Sequence, residues 1–326
     1  MCGVTTAPST VACERCGALN ELEFGECIRC GALLDADRAE PAEKAQRRVA
    51  APRRQTAGIA AGPMAPGPGT EPFLGRWAAT TFPGAKLVFA INLAIFAVHI
   101  GHALGRWGIG ALLSGGAPGE AVLYGAFSQR LVLLEPWRIL SANWVHFGII
   151  HFGFNMLAVA QLSRIMEPAI GTYRYLFAYV VTGVVGFAAS AAWYTFQVAQ
   201  GDPNIGLVPT AGASASLFGV LGVILGFLWR RGDPRWKQFA GQTVFYALIF
   251  GFVIRANNAA HIGGLLAGIP FGILFAPGAP KPSRKWQRAA AVVCIVASLG
   301  SLVAARTSPA YDIVLDQLEE AALEER

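Results

Sequence analysis

The sequence predicts an all-α fold, a polytopic membrane helix bundle preceded by a small zinc-binding module. Three observations predict it. Charge is crowded at the two ends: residues 1–54 hold 16 charged side chains and residues 307–326 hold 7, which leaves 23 for the 252 residues between. That middle is only about 9% charged, far below the roughly 25% of a domain whose surface faces water. Seven apolar stretches recur through it at close to membrane-spanning length. Near the start, two identical CxxC knuckles stand ten residues apart. Together these exclude a single soluble globule, a disordered chain, a collagen and a small disulfide scaffold.

In chain order, residues 1–35 form the zinc ribbon or finger. Cys13-Glu-Arg-Cys16-Gly and Cys27-Ile-Arg-Cys30-Gly each let two thiolates converge, with Gly after each for the tight turn. Four such ligands suit a closed, structural tetrahedral zinc site, and a cytoplasmic location disfavours the disulfide alternative. The position of Asn20 makes the spacing resemble a RanBP2-type finger, although Val11 stands where that family has a Trp. Cys2 and Cys294 fit neither knuckle and read as free thiols. Arg15 and Arg29 are balanced by Glu14, Glu21, Glu23 and Glu26, so no basic patch invites nucleic acid. A cytoplasmic protein partner suits the module better. Residues 36–72 are Ala, Pro, Gly and charge without apolar periodicity, which reads as a flexible linker.

The membrane core is expected over 73–280 and a seventh span with an acidic tail over 281–326. The spans are predicted near 85–104, 146–166, 171–196, 211–229, 239–255, 258–276 and 288–305; the fifth is short and carries Gln242 and Thr243. The first 35 residues show no apolar segment of signal-peptide type. With the N-terminus inside, the inner loops collect Arg164, Arg174, Arg230, Arg231, Arg235, Lys237, Lys281, Arg284, Lys285 and Arg288. The opposite loops carry half as many, so the positive-inside rule puts the N-terminus in the cytoplasm and the C-terminus outside. Short loops and high Ala, Gly and Arg usage point to a bacterial inner membrane. The net charge of +6 follows from this bias and from two Arg pairs in the linker.

Polar side chains inside spans are costly and mark function by default. His151 and Asn155 stand four apart and share a helix face. Ser214, in Gly212-Ala213-Ser214-Ala215, lies about one turn into the fourth span, and His261 about one turn into the sixth. Spans two, four and six run in one direction, so all four residues lie within about 5–14 Å of the outer surface. Gly219, Gly222 and Gly226 line the fourth span, and Gly264, Gly268 and Gly272 line the sixth, a spacing that brings helix backbones close. The set suits acyl transfer: Ser214 as nucleophile, His261 as its base, and His151, Asn155 and the Ser214 backbone as oxyanion donors. No acid is placed to orient His261; Phe218, one turn after Ser214, can pack on the imidazole instead. His99 and His102 have no carboxylate or nucleophile beside them and read as structural. Glu167 reads as a loop anchor pairing with Arg164 or Arg174.

Over about residues 85–276 the sequence resembles a rhomboid intramembrane serine protease. Trp137-Arg138, His146-Phe-Gly-Ile-Ile-His151-Phe-Gly-Phe-Asn155, Gly212-Ala213-Ser214 and Ala260-His261-Ile-Gly263-Gly264-Leu-Leu-Ala-Gly268 carry the resemblance. It implies a six-helix core plus a C-terminal seventh span, with a Ser214–His261 dyad opening to the outer side. It also implies oxyanion roles for His151 and Asn155, a supporting His146, and a membrane-edge loop over 106–140 holding Trp137-Arg138. Transmembrane protein substrates and membrane lipids are the implied partners, and no cofactor serves catalysis. One departure stands out: Ala215 replaces the family's Gly after the serine, and its methyl either crowds the oxyanion site or fits with little change. The alternative function is an inactive rhomboid-like protein that binds transmembrane helices and controls their trafficking or degradation. A proton-relay transporter is a third reading, weakened by the lack of matching broken spans.

Overall fold

The computed structural model describes residues 9–13, 19–21, 34, 40–41, 82–116, 119–202, 208–253, 257–280 and 282–312. The chain divides into two compact units, Met1–Thr81 and Phe82–Arg326.

In the first unit, β1 (Ser9–Ala12) pairs antiparallel with β2 (Leu19–Glu21), Val11 opposite Asn20, and with β3 (Glu40–Pro41) on its other side. Val11 and Cys13 are buried. The all-α expectation therefore describes the second unit and not this one. β3 falls within the stretch expected to be linker. Cys16, Cys27 and Cys30, on which the zinc expectation rests, lie outside the described residues.

The second unit is helical. Its long helices are α1 (Pro83–Trp107), α6 (Gly148–Ile170), α7 (Thr172–Ala199), α8 (Ser214–Arg230), α9 (Arg235–Val253), α10 (Asn258–Phe275) and α11 (Arg284–Arg306). Between α1 and α6 run four short helices, α2 (Ala111–Ser114), α3 (Glu120–Leu123), α4 (Gln129–Leu134) and α5 (Arg138–Ser141), and a 3₁₀ turn at Ala142–Trp144. Each predicted span overlaps one of these long helices. Five helices (α1, α6, α7, α10 and α11) are long and apolar enough to cross a membrane; α8 is apolar but has 17 residues, and α9 is not among the five. The unit is a polytopic membrane helix bundle.

Local chemistry explains where these helices begin. Pro83 opens α1, where its missing N–H costs nothing. The N–H groups of Gly84 and Ala85 then donate to the Glu167 carboxylate at 2.8 and 2.9 Å, and Thr172 Oγ donates to the same group at 2.8 Å. A carboxylate at a helix N-terminus satisfies orphan donors and complements the dipole. Glu167 thus ties the ends of α6 and α7 to the start of α1. It is a loop anchor, as expected, and backbone amides of α1 are among its partners.

The α1–α6 loop is organised around the fully buried Arg138. Its Nη1 donates to the carbonyls of Val122 and Ala126 at 2.8 and 2.9 Å, and its Nε pairs with Glu135. Glu135 also accepts from Ser308, just past α11. Arg306 lies over the rings of Tyr124 and Tyr311, and Leu302 and Tyr311 pack on Ala121, Leu123, Tyr124, Ala126 and Val145. Burial pushes the Tyr124 phenol above its ordinary range, and Arg306 opposes that rise. The C-terminal end of α11 therefore clamps this loop. Contrary to expectation, His102 has a carboxylate beside it. Its Nδ1 is 2.6 Å from Oε1 of the buried Glu120, which also accepts from Trp107 Nε1 at 3.2 Å. The partner sits eighteen residues away, beyond the end of α1, so periodicity along the helix could not reveal it.

At the centre, α8 packs along α10 and both pack against α7. The glycine ladders meet here. A Cβ on Gly268 would collide with the Gly219 carbonyl, one on Gly222 with that of Leu265, and one on Gly272 with that of Val223. The helices touch backbone to backbone, as small residues at this spacing allow.

Candidate active site

Ser214 is the first residue of α8, rather than lying a turn inside it. Gly212 is the cause: its φ of +133° lies outside the range L side chains adopt, so the helix cannot begin before it. Gly212 is constrained a second way, because a Cβ there would sit 2.8 Å from Nε2 of His151. Its N–H donates to the Ala142 carbonyl at 2.8 Å, and Thr210 exchanges backbone hydrogen bonds with Phe127 at 2.7 and 3.1 Å. The loop that Arg138 orders thus holds the segment leading into Ser214.

The start of α10 is positioned by Asn257, whose side chain accepts from the Ala260 N–H at 3.1 Å and donates to Ser190 on α7. This sets His261 in the first turn, on the side facing α8. Ser214 Oγ lies 2.9 Å from His261 Nε2. The imidazole stacks on Phe218, centroids 4.3 Å apart and planes 11° from parallel. Its Nδ1 has no hydrogen-bond partner among the described residues. A neutral ring accepting at Nε2 carries its proton on Nδ1, so the stacking on Phe218 and the Ser214 contact set its orientation.

The remaining expected residues take distinct places. His146, fully buried, accepts the Ala213 N–H at 3.4 Å and so braces the residue before Ser214. His151 accepts the Phe147 N–H at Nδ1 at 3.2 Å. A neutral imidazole accepting there carries its proton on Nε2, the nitrogen beside Gly212. Asn155 is buried and donates one amide hydrogen to the His151 carbonyl at 2.8 Å within α6. The Ser214 N–H, at the first helical position, has no acceptor inside α8, and the dipole there favours an anion. Trp137 and Arg138 lie in the loop; Arg138 contacts loop backbone rather than Ser214. Ser214, His261, Phe218, His151 and Gly212 therefore gather in one place, with His146 behind them.

The Ala215 methyl has a resolved surrounding. Ala215 is fully buried with Phe127, Phe187 and Ala260, and a Cβ placed on Gly186 of α7 would lie 3.0 Å from the Ala215 Cβ and 2.6 Å from the Ala260 carbonyl oxygen. The methyl fills the space left by a glycine on the neighbouring helix. Gly186 is a site residue that sequence reasoning missed, because only packing shows what stands opposite Ala215. Ala215→Gly is expected to lower thermal stability by about 1 kcal/mol while changing turnover less than about threefold. A rise of about tenfold in turnover would instead show that the methyl crowds the reacting centre.

Much of the helical unit is similar to known proteins. Residues 133–278 match the family described as Rhomboid domain. The rhomboid protease GluP of Bacillus subtilis is 30% identical over 197 residues, covering 58% of this chain and 36% of that protein. RHOMBOID-like protein 5 of Arabidopsis thaliana is 32% identical over 158 residues, 46% of this chain and 48% of the relative. Rhomboid-type serine protease 2 of Emericella nidulans is 28% identical over 145 residues, 43% and 27% of the two chains. The chain spans less than half the length of each of these relatives. With five helices apolar enough to cross a membrane, the chain is an integral membrane protein that is similar over residues 133–278 to the Rhomboid domain.

Proposed function

We propose that this protein is an intramembrane serine protease that hydrolyses peptide bonds in or near transmembrane segments of single-span substrates. The 2.9 Å approach of Ser214 Oγ to His261 Nε2 carries the reading. In the acylation step, His261 takes the Ser214 proton as Oγ bonds the scissile carbonyl carbon. The negative charge that develops on the carbonyl oxygen is held by the Ser214 N–H, His151 Nε2–H and the second amide hydrogen of Asn155. His261 then gives its proton to the leaving amine, and water hydrolyses the acyl-enzyme by the reverse exchange.

The length of α8 supports a recessed site. Seventeen residues rise about 25 Å, less than the roughly 30 Å of a bilayer core. With Arg230 and Arg231 holding one end at a headgroup layer, Ser214 lies below the opposite surface. A substrate helix must unwind to present its carbonyl there, which favours segments rich in small residues.

A serine-directed fluorophosphonate tests the dyad without a known substrate. The wild-type protein in detergent is expected to be labelled at Ser214, and His261→Ala to lose labelling by about 100-fold or more. Absence of labelling in folded wild-type protein favours the inactive, helix-binding alternative.

A further inference from the structure

At the end of the bundle opposite Ser214, the first turns of α7 and α11 border an open cavity of about 290 Å³ lined by Tyr173 and the exposed Arg284, Lys285 and Arg288. Among the described residues its lining holds three cationic side chains and one phenol. That composition selects an anion with several oxygens: guanidinium groups match phosphate oxygens in pairs, Lys adds a point charge and Tyr a hydroxyl donor. At this volume the cavity sits at the small end of ligand pockets, suited to a headgroup.

The surface beyond the cavity points to lipid rather than free phosphate. Lys285, Arg288, Val292, Val296, Leu299 and Val303 follow one another at intervals of three and four, so they share one face of α11. The four apolar members are all exposed, from 44% to 63%. The cations therefore head an uncovered apolar stripe running the length of a helix apolar enough to cross a membrane. Trp286, 73% exposed, stands beside them at the level where Trp concentrates in membrane proteins.

We propose that this cavity binds the phosphate headgroup of an anionic phospholipid whose acyl chains lie along the α11 stripe. Basic pockets between transmembrane helices are suited to this, and each basic residue near the membrane surface contributes about 1 kcal/mol toward anionic lipid. The site lies apart from the dyad and does not depend on it. It places a lipid against α11, the helix whose other end clamps the loop around Arg138.

Full-length protein in nanodiscs of phosphatidylcholine doped with phosphatidylglycerol, read by native mass spectrometry, tests the proposal. The wild-type protein is expected to retain phosphatidylglycerol in preference to phosphatidylcholine, and Lys285→Gln/Arg288→Gln to bind it about 30-fold more weakly. Arg230→Gln/Lys237→Gln, which removes two cations elsewhere, is expected to change binding less than about threefold; an equal loss in both variants overturns the site in favour of general surface charge. No lipid preference in the wild-type protein overturns the proposal without any variant. Displacement by millimolar inorganic phosphate with no lipid preference overturns it in favour of a free anion.

Discussion

Ser214→Ala is expected to reduce cleavage of a single-span substrate in detergent by about 10⁴-fold or more, with the thermal midpoint unchanged. The hydroxyl nearest in sequence is not placed to take over. Ser216, the nearest hydroxyl in sequence, is fully buried and its Oγ donates to Asn143 Oδ1 at 2.8 Å, on the side of α8 that meets Gly183. His261→Ala is expected to fall about as far, because the two residues act as one unit and removing either removes the proton transfer. Retained stability is part of the expectation: Ser214 lies at the helix start, where its hydroxyl makes its contact to His261 and no helical backbone bond depends on it. Equal cleavage by wild type and Ser214→Ala would refute the dyad and leave the helix-binding alternative standing.

Gly268→Ala is expected to have the largest effect of any substitution outside the dyad. One methyl at this position would collide with the Gly219 carbonyl and press on the Val223 N at 2.9 Å. Both are helical backbone, which cannot rotate away as a side chain can. Overpacking typically costs about 1–3 kcal/mol, and rigid neighbours put this case at the upper end. The helices must separate to admit the methyl, and the dyad bridges the same two helices, so His261 is drawn from Ser214. A misplacement of about 1 Å lowers turnover by about 100-fold. Gly153→Ala on α6 is the control, since a Cβ there meets nothing within 4 Å. Differential scanning fluorimetry and fluorophosphonate labelling of both variants check the prediction; matching behaviour would show that α8 and α10 are not held at backbone contact.

The two cases differ in how legible they were. Gly264, Gly268 and Gly272 advertise a close helix contact by spacing alone, since every fourth residue returns to one face. The shared level of Ser214, His261 and His151 was also readable, because alternating spans run in alternating directions and each residue stands near the start of its span. What stood opposite Ala215 was not readable. Gly186 lies 29 positions earlier on another helix, and nothing local to either residue predicts their pairing. The partner of Glu167 was missed for a related reason: backbone N–H groups are present at every residue, so a carboxylate capping α1 from 82 positions away leaves no signal in residue type. The His102–Glu120 contact and the bond between Ser308 and Glu135, 173 positions apart, belong to the same class.

By itself the sequence determined where the long helices lie and their order: scarce charge, apolar runs and paired glycines specify apolar helices and which of them touch. It also narrowed the chemistry to a few polar residues, because each uncompensated polar group in a span is expensive and so conspicuous. Tertiary structure alone decided the orientation of those groups. The positive φ of Gly212 starts α8 at Ser214, Phe218 sets the plane of the His261 ring, and the Phe147 amide selects which nitrogen of His151 faces the site. Such choices depend on angles and on atoms contributed by distant segments, and one-dimensional patterns record neither.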